Sequence, residues 1–224
     1  MADLTLVIGN RNYSSWSMRP WVLLRQLGIP FDEVKLRFHS REWDAGIGRW
    51  SPSGLVPVLW RGDVAVWDSL AILETVADWY PDSCAWPAEP AARAFARSAA
   101  AEMHAGFRNL RANMPMNIRA RLPGKGMTAE VRSDIVRIER LWTEARSRFG
   151  VGGDFLFGRF SAADAMFAPV VMRFATYGVD CGPVAARYVE AISAAPGVKA
   201  WVEGALAETE FVAEDEPYAE PAGR

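Results

Sequence analysis

Cysteine and histidine are scarce in this sequence, and both shortages exclude chemistry. Of 224 residues only Cys84 and Cys181 are cysteines, far apart and outside any C-x-x-C spacing. That excludes a disulfide scaffold and a cysteine zinc site, and it fits a reducing compartment. His39 and His104 are the two histidines, too few for most metal constellations, so no metal is expected. Charge of one sign is missing as well: 25 Lys and Arg against 27 Asp and Glu leave a formal net charge of -2. Such a balance gives no footprint for nucleic acid or an anionic membrane. No apolar run approaches the ~20 residues that span a bilayer, and the opening Met-Ala-Asp has no basic segment of a secretory signal. These gaps lead us to expect a soluble, cytoplasmic protein with neither nucleic acid nor membrane as partner.

Apolar and aromatic residues, in contrast, are plentiful. Half of the residues are hydrophobic and ten are tryptophan, enough for one large domain or two small ones with buried cores. Such aromatics usually build core, although some line pockets for apolar ligands.

The stretch Tyr13-Ser14-Ser15-Trp16-Ser17-Met18-Arg19-Pro20-Trp21 follows the short apolar run Leu4 to Ile8 and precedes a helical pattern that stops at Gly28. A strand-to-helix corner carries outward N–H groups and the positive end of a helix dipole, so it can stabilise an anion, a thiolate included. Serines at such a corner also serve as ordinary helix caps. Val34, Leu36 and Phe38 alternate with Lys35 and Arg37 in the period of a half-buried strand, and a weakly amphipathic helix follows over 40–50. Pro57 then precedes the apolar Val58-Leu59-Trp60. The residue pattern leaves two readings there, a cis Val56-Pro57 bond that exposes the Val56 backbone to a peptide-like ligand, or an edge strand that begins with proline. Arg61-Gly62-Asp63 forms a hairpin turn to Val64–Trp67, and Asp68-Ser69 opens another helix, as cap or as anion site. The order strand, helix, strand, helix, strand, strand, helix describes a mixed α/β module that is complete near Tyr80.

Beyond a proline-punctuated linker at 81–90 nothing reads as a strand. Helices are expected over 91–111, from Thr128 to Phe149, after Ser161-x-x-Asp164, over 183–195 and over 196–208, with a basic loop at 118–126 and a frayed acidic tail from Glu214. Asp164 reads as a capping carboxylate, and His104 as a structural histidine.

The Ser-rich corner, the Val56-Pro57 dipeptide, the hairpin and the Asp68-Ser69 helix start together resemble the glutathione S-transferases. Ser14-Ser15-Trp16-Ser17-Met18-Arg19 is similar to the Ser-Ser-Cys-x-Trp-Arg signature of their zeta class, with Trp16 in the place of its cysteine and Met18 in that of its tryptophan. The resemblance implies an α/β plus all-α fold: a thioredoxin-like domain (βαβαββα, with a cis proline) over 1–80, the linker at 81–90, and an all-helical domain over 91–224. It further implies glutathione as cosubstrate. The cysteinyl backbone would pair with Val56 at Pro57, the γ-glutamyl carboxylate would sit at Ser69 with its amine near Asp68, and the sulfur would reach Ser14 or Ser15. Ser14 ranks slightly ahead by alignment to Arg19, and Ser17 is expected to cap the helix.

The implied activity is a glutathione transferase of serine type, in which the thiolate attacks a hydrophobic electrophilic small molecule, with detoxification as the family's usual role. The alternatives are a zeta-type, maleylacetoacetate isomerase-like cis-trans isomerase and a non-catalytic interaction protein. Trp16, Met103, Phe107, Arg111 and Met114 are the expected walls of the second-substrate pocket. Family members pair as homodimers, and the same is expected here.

Overall fold

The computed structural model describes residues 2–219. Its sheet has the strand order β2-β1-β3-β4. The uninterrupted apolar run of β1 (Leu4–Ile8) follows from its interior position, parallel to β2 (Asp32–Lys35) on one side and antiparallel to β3 (Val58–Arg61) on the other. Leu4, Leu6, Ile8 and Leu59 face the main core, while Val7 and Val58 face a second, smaller cluster with Leu36. A hairpin with Gly62 at φ +61° leads to β4 (Val64–Trp67). The helices α1 (Ser15–Gln26), α2 (Arg41–Trp50) and α3 (Ser69–Trp79) complete the first half. Among the described residues six α-helices form the second: α4 (Pro90–Ala105), α5 (Arg108–Asn113), α6 (Ala129–Phe149), α7 (Ala162–Tyr177), α8 (Pro183–Ala194) and α9 (Pro196–Leu206). The expected α/β plus all-α organisation is present.

The two halves share one core. Helix α7 is buried along almost its entire length and packs on α1, α4 and α8. Trp21 of α1 meets Trp201 of α9 edge-on, with ring centroids 5.3 Å apart. Among the described residues no helix is long and apolar enough to cross a membrane.

Three expectations shift. The alternating pattern at 34–38 yields a strand that stops at Lys35, because its partner β1 ends opposite, at Ile8. The helix expected over 91–111 breaks into α4 and α5 at Gly106-Phe107. Phe107 takes φ +52°, and a Cβ on Gly106 would lie 2.7 Å from the Glu102 carbonyl oxygen. The acidic tail is packed rather than frayed up to Ala219: Tyr218 donates to the Asn113 carbonyl at 2.7 Å, and Glu216 accepts from Tyr13. Positions 220–224 of that tail lie outside the described residues.

Candidate active site

The loop between β1 and α1 is held by its own buried polar groups. Asn10 Oδ1 accepts from Phe38 N at 2.8 Å, and Asn12 Nδ2 donates to Asn117 Oδ1 at 2.8 Å, which ties the corner to the helical half. Gly9 lies close under the Phe38 ring, which an added Cβ would approach to 2.4 Å and push aside. At the corner Ser14, not the expected Ser17, caps α1: Ser14 Oγ accepts from Ser17 N at 3.4 Å. Ser17 is fully buried, where its Oγ accepts from Gly9 N at 3.2 Å and from the Ser14 hydroxyl at 2.8 Å. The Ser14 hydrogen is thereby committed. Ser15 differs, because its Oγ accepts from Arg173 Nη2 at 3.3 Å and keeps its own hydrogen to donate. Tyr13 also faces this cavity, but its hydroxyl donates to Glu216 and accepts from Arg119 at 2.8 Å. Burial, then the Glu216 contact, pushes that phenol above its ordinary range.

The other two motif positions stand at one end of a neighbouring cavity. The Val56-Pro57 bond is cis. Among the described residues no backbone group pairs with the Val56 N–H or C=O. Asp68 begins α3 at φ +72°, an unfavourable conformation for a non-glycine residue that costs about 1–3 kcal/mol. In that conformation one carboxylate oxygen caps the helix, accepting from Leu70 N at 2.8 Å, and the other lies 2.6 Å from His104 Nε2. Ser69 is buried, and its Oγ has no hydrogen-bond partner. A buried hydroxyl without a partner is costly unless a ligand completes it.

Two cavities meet at Trp16. One of about 480 Å³ is lined by Val56, Pro57, Asp68, Ser69 and His104. The other, of about 450 Å³, is lined by Ser14, Ser15, Phe38, Trp43, Arg111 and Arg173 among others. Trp16, Leu55 and Val56 border both, so the motif residues line two adjoining cavities. Of the expected pocket walls, Trp16 and Arg111 are on the lining. Met103, Phe107 and Met114 are buried in the core cluster instead.

The comparisons with known proteins bear on this geometry. Residues 13–79 match the model of the glutathione S-transferase N-terminal domain, and residues 64–204 match that of the C-terminal domain. The chain belongs to the glutathione S-transferase family. No curated protein matches it by sequence. A glutathione transferase homolog from Burkholderia GL BGR1, crystallised with bound glutathione, is 24% identical with TM-score 0.66, covering 92% of this chain and 99% of its own. A theta class glutathione S-transferase from Xanthomonas axonopodis pv. citri, also with glutathione bound, is 21% identical with TM-score 0.66, covering 92% and 100%. Glutathione transferase Omega 3C from Trametes versicolor is 19% identical with TM-score 0.69, covering 97% and 89%. At these identities the three show the shared fold.

Within this glutathione S-transferase fold, two site residues escape the sequence reading. His104 is set aside there as structural, yet it contacts Asp68 and packs edge-on against Trp16 with centroids 5.4 Å apart. Arg173 reaches the corner from α7, and its signal was legible: it is the lone cation in the apolar run from Met166 to Phe174. Among the described residues no group of three His, Cys, Asp or Glu side chains is arranged to hold a metal ion.

Proposed function

We propose that this protein is a glutathione transferase of serine type, active as a homodimer, that binds glutathione across the two adjoining cavities and ionises its thiol for attack on an electrophilic small molecule. The observation that carries the reading is the pair of adjoining cavities, one lined by Ser15 and Val56 and the other by Val56, Pro57, Asp68 and Ser69. In this reading the cysteinyl backbone pairs with the unengaged Val56 N–H and C=O. The γ-glutamyl carboxylate takes the unpartnered Ser69 hydroxyl at the α3 N-terminus, where the helix dipole favours negative charge. The γ-glutamyl amine meets Asp68.

The sulfur then lies at the corner, and the donor is Ser15 rather than Ser14. Ser14 spends its hydrogen on Ser17, whereas Ser15 accepts from a guanidinium and retains its own. A hydroxyl donated to sulfur favours the charged form, and the nearby cations add to that effect. From an unperturbed value of about 8.5, a fall of one to two units makes a large fraction of the thiol nucleophilic near neutrality. The protein thus supplies orientation and ionisation, and the bound thiolate forms the bond. Calorimetric titration with glutathione tests the reading. Saturable binding at one site per chain is expected, and no saturable heat would contradict it.

A further inference from the structure

Three arginines converge behind the corner. Arg19 is fully buried, donating from Nε to the Met166 carbonyl at 3.1 Å and from Nη1 to the Ser15 carbonyl at 2.9 Å, while its Nη2 has no partner. Arg173 is 3% exposed and donates to the carbonyls of Met114 and Pro169 and to Ser15 Oγ. Arg111 has an unpartnered, buried Nε. The guanidinium carbons of Arg19 and Arg111 lie 4.2 Å and 5.2 Å from the Trp16 ring centroid. Among the described residues none of the three forms an ion pair with a carboxylate. Burial, followed by the charge of Arg111, lowers Arg173 to about 10, which still leaves it charged at neutral pH.

Buried cations without counter-ions are costly, and proteins rarely keep them unless something pairs with them. Arg111 and Arg173 line the 450 Å³ cavity, where Asp215 is the one acidic residue on the wall among the described residues. The rest of that wall includes Phe38, Trp43, Leu55, Pro115 and Met116, which suit an apolar body. A planar guanidinium fork matches a carboxylate in a way that an apolar wall does not.

We infer that the second substrate is an electrophile with an apolar body and a carboxylate, the carboxylate being held by Arg111 and Arg173. This deepens the transferase reading and rests on it. Asp215, in the C-terminal segment, lies close enough to Arg173 to favour its charged form, and its own charge opposes an approaching carboxylate.

Product analogues separate this inference from the glutathione reading, because S-benzylglutathione and S-(4-carboxybenzyl)glutathione differ only in the added carboxylate. The full chain is expected to bind the carboxylated analogue about ten-fold more tightly or better, which corresponds to about 1.4 kcal/mol. Arg111→Gln should bring that ratio close to one. Asp215→Asn should raise it, and neither substitution removes one of the Arg173 hydrogen bonds. Equal binding of the two analogues by the wild type, or a preference that survives Arg111→Gln, would overturn the inference while leaving glutathione binding intact. Failure of both analogues to bind would overturn the glutathione reading and this inference with it.

Discussion

At the scale of single residues, the informative groups are those with unfinished hydrogen bonds. Ser69 Oγ is buried without a partner, so the free protein bears a desolvation cost that a bound carboxylate relieves. Ser69→Ala is therefore expected to leave the melting temperature of the free protein unchanged or slightly higher. The same substitution should weaken glutathione by about 1.5–3 kcal/mol, the worth of a hydrogen bond to a charged group. Calorimetry of the variant beside the wild type checks both halves, and a destabilised protein with unchanged affinity would show that Ser69 only supports the helix. Ser15, Val56, Pro57, Asp68 and Ser69 were legible in the sequence because each sits within a short motif at an element boundary. The state of their hydroxyls was not. Ser14 and Ser15 are neighbours with the same chemistry, and what separates them is Arg173, 158 residues beyond Ser15 in sequence. Ring contacts such as Trp16 with His104 were hidden for the same reason, since they join elements that sequence order does not connect.

At the scale of elements, α7 is the helix on which both halves lean, and its start depends on Asp164. That buried carboxylate accepts from Ser161 N at 2.8 Å, from Ser161 Oγ at 2.8 Å and from Leu156 N at 3.1 Å. Burial outweighs these donors and pushes its pKa from 3.8 up to about 6. The folded chain consequently holds this proton more tightly than the unfolded chain. Its contribution to stability is fully present below about pH 4 and is lost as pH rises through about 6, a change of up to about 3 kcal/mol. Chemical denaturation at pH 5 and pH 7 should reveal this decline in the wild type and a flatter profile in Asp164→Asn. The Asn variant should also be less stable overall, by about 1–3 kcal/mol, because one amide cannot accept all three donors. A wild-type profile as flat as that of the variant would contradict the assignment. Elements with a clear residue pattern were readable from the residues, β1 and β4 as short apolar runs and α6 by its helical spacing. The break between α4 and α5 was not, because it depends on Phe107 turning to positive φ where Gly106 meets the preceding turn.

For the whole molecule, the shared core fixes how the two halves meet, and the site exists only because they do. The corner comes from the α/β half, while Arg111, Arg173 and Asp215 come from the helical half. We propose that two such molecules pair. Val64 and Trp67 of the edge strand β4 are about half exposed, at 50% and 49%. Light scattering at micromolar concentration should give about twice the chain mass of 24.8 kDa, and a monomeric mass would contradict the pairing. The general architecture was legible in the sequence because helical spacing repeats over long segments and short apolar runs between turn residues mark the strands. The packing of the tail onto Tyr13 and Asn113 was not, because an acidic, proline-containing terminus gives no sign of what will cover it.

The most direct test of the central claim is the pKa of the glutathione thiol when bound, followed by ultraviolet absorbance of the thiolate across pH for wild type, Ser14→Ala and Ser15→Ala. The expected result is a wild-type value well below that of free glutathione, a rise of about one to two pH units in Ser15→Ala, and a smaller change in Ser14→Ala. A wild-type thiol that titrates like free glutathione, or a Ser15→Ala variant that keeps the wild-type value, would contradict the account.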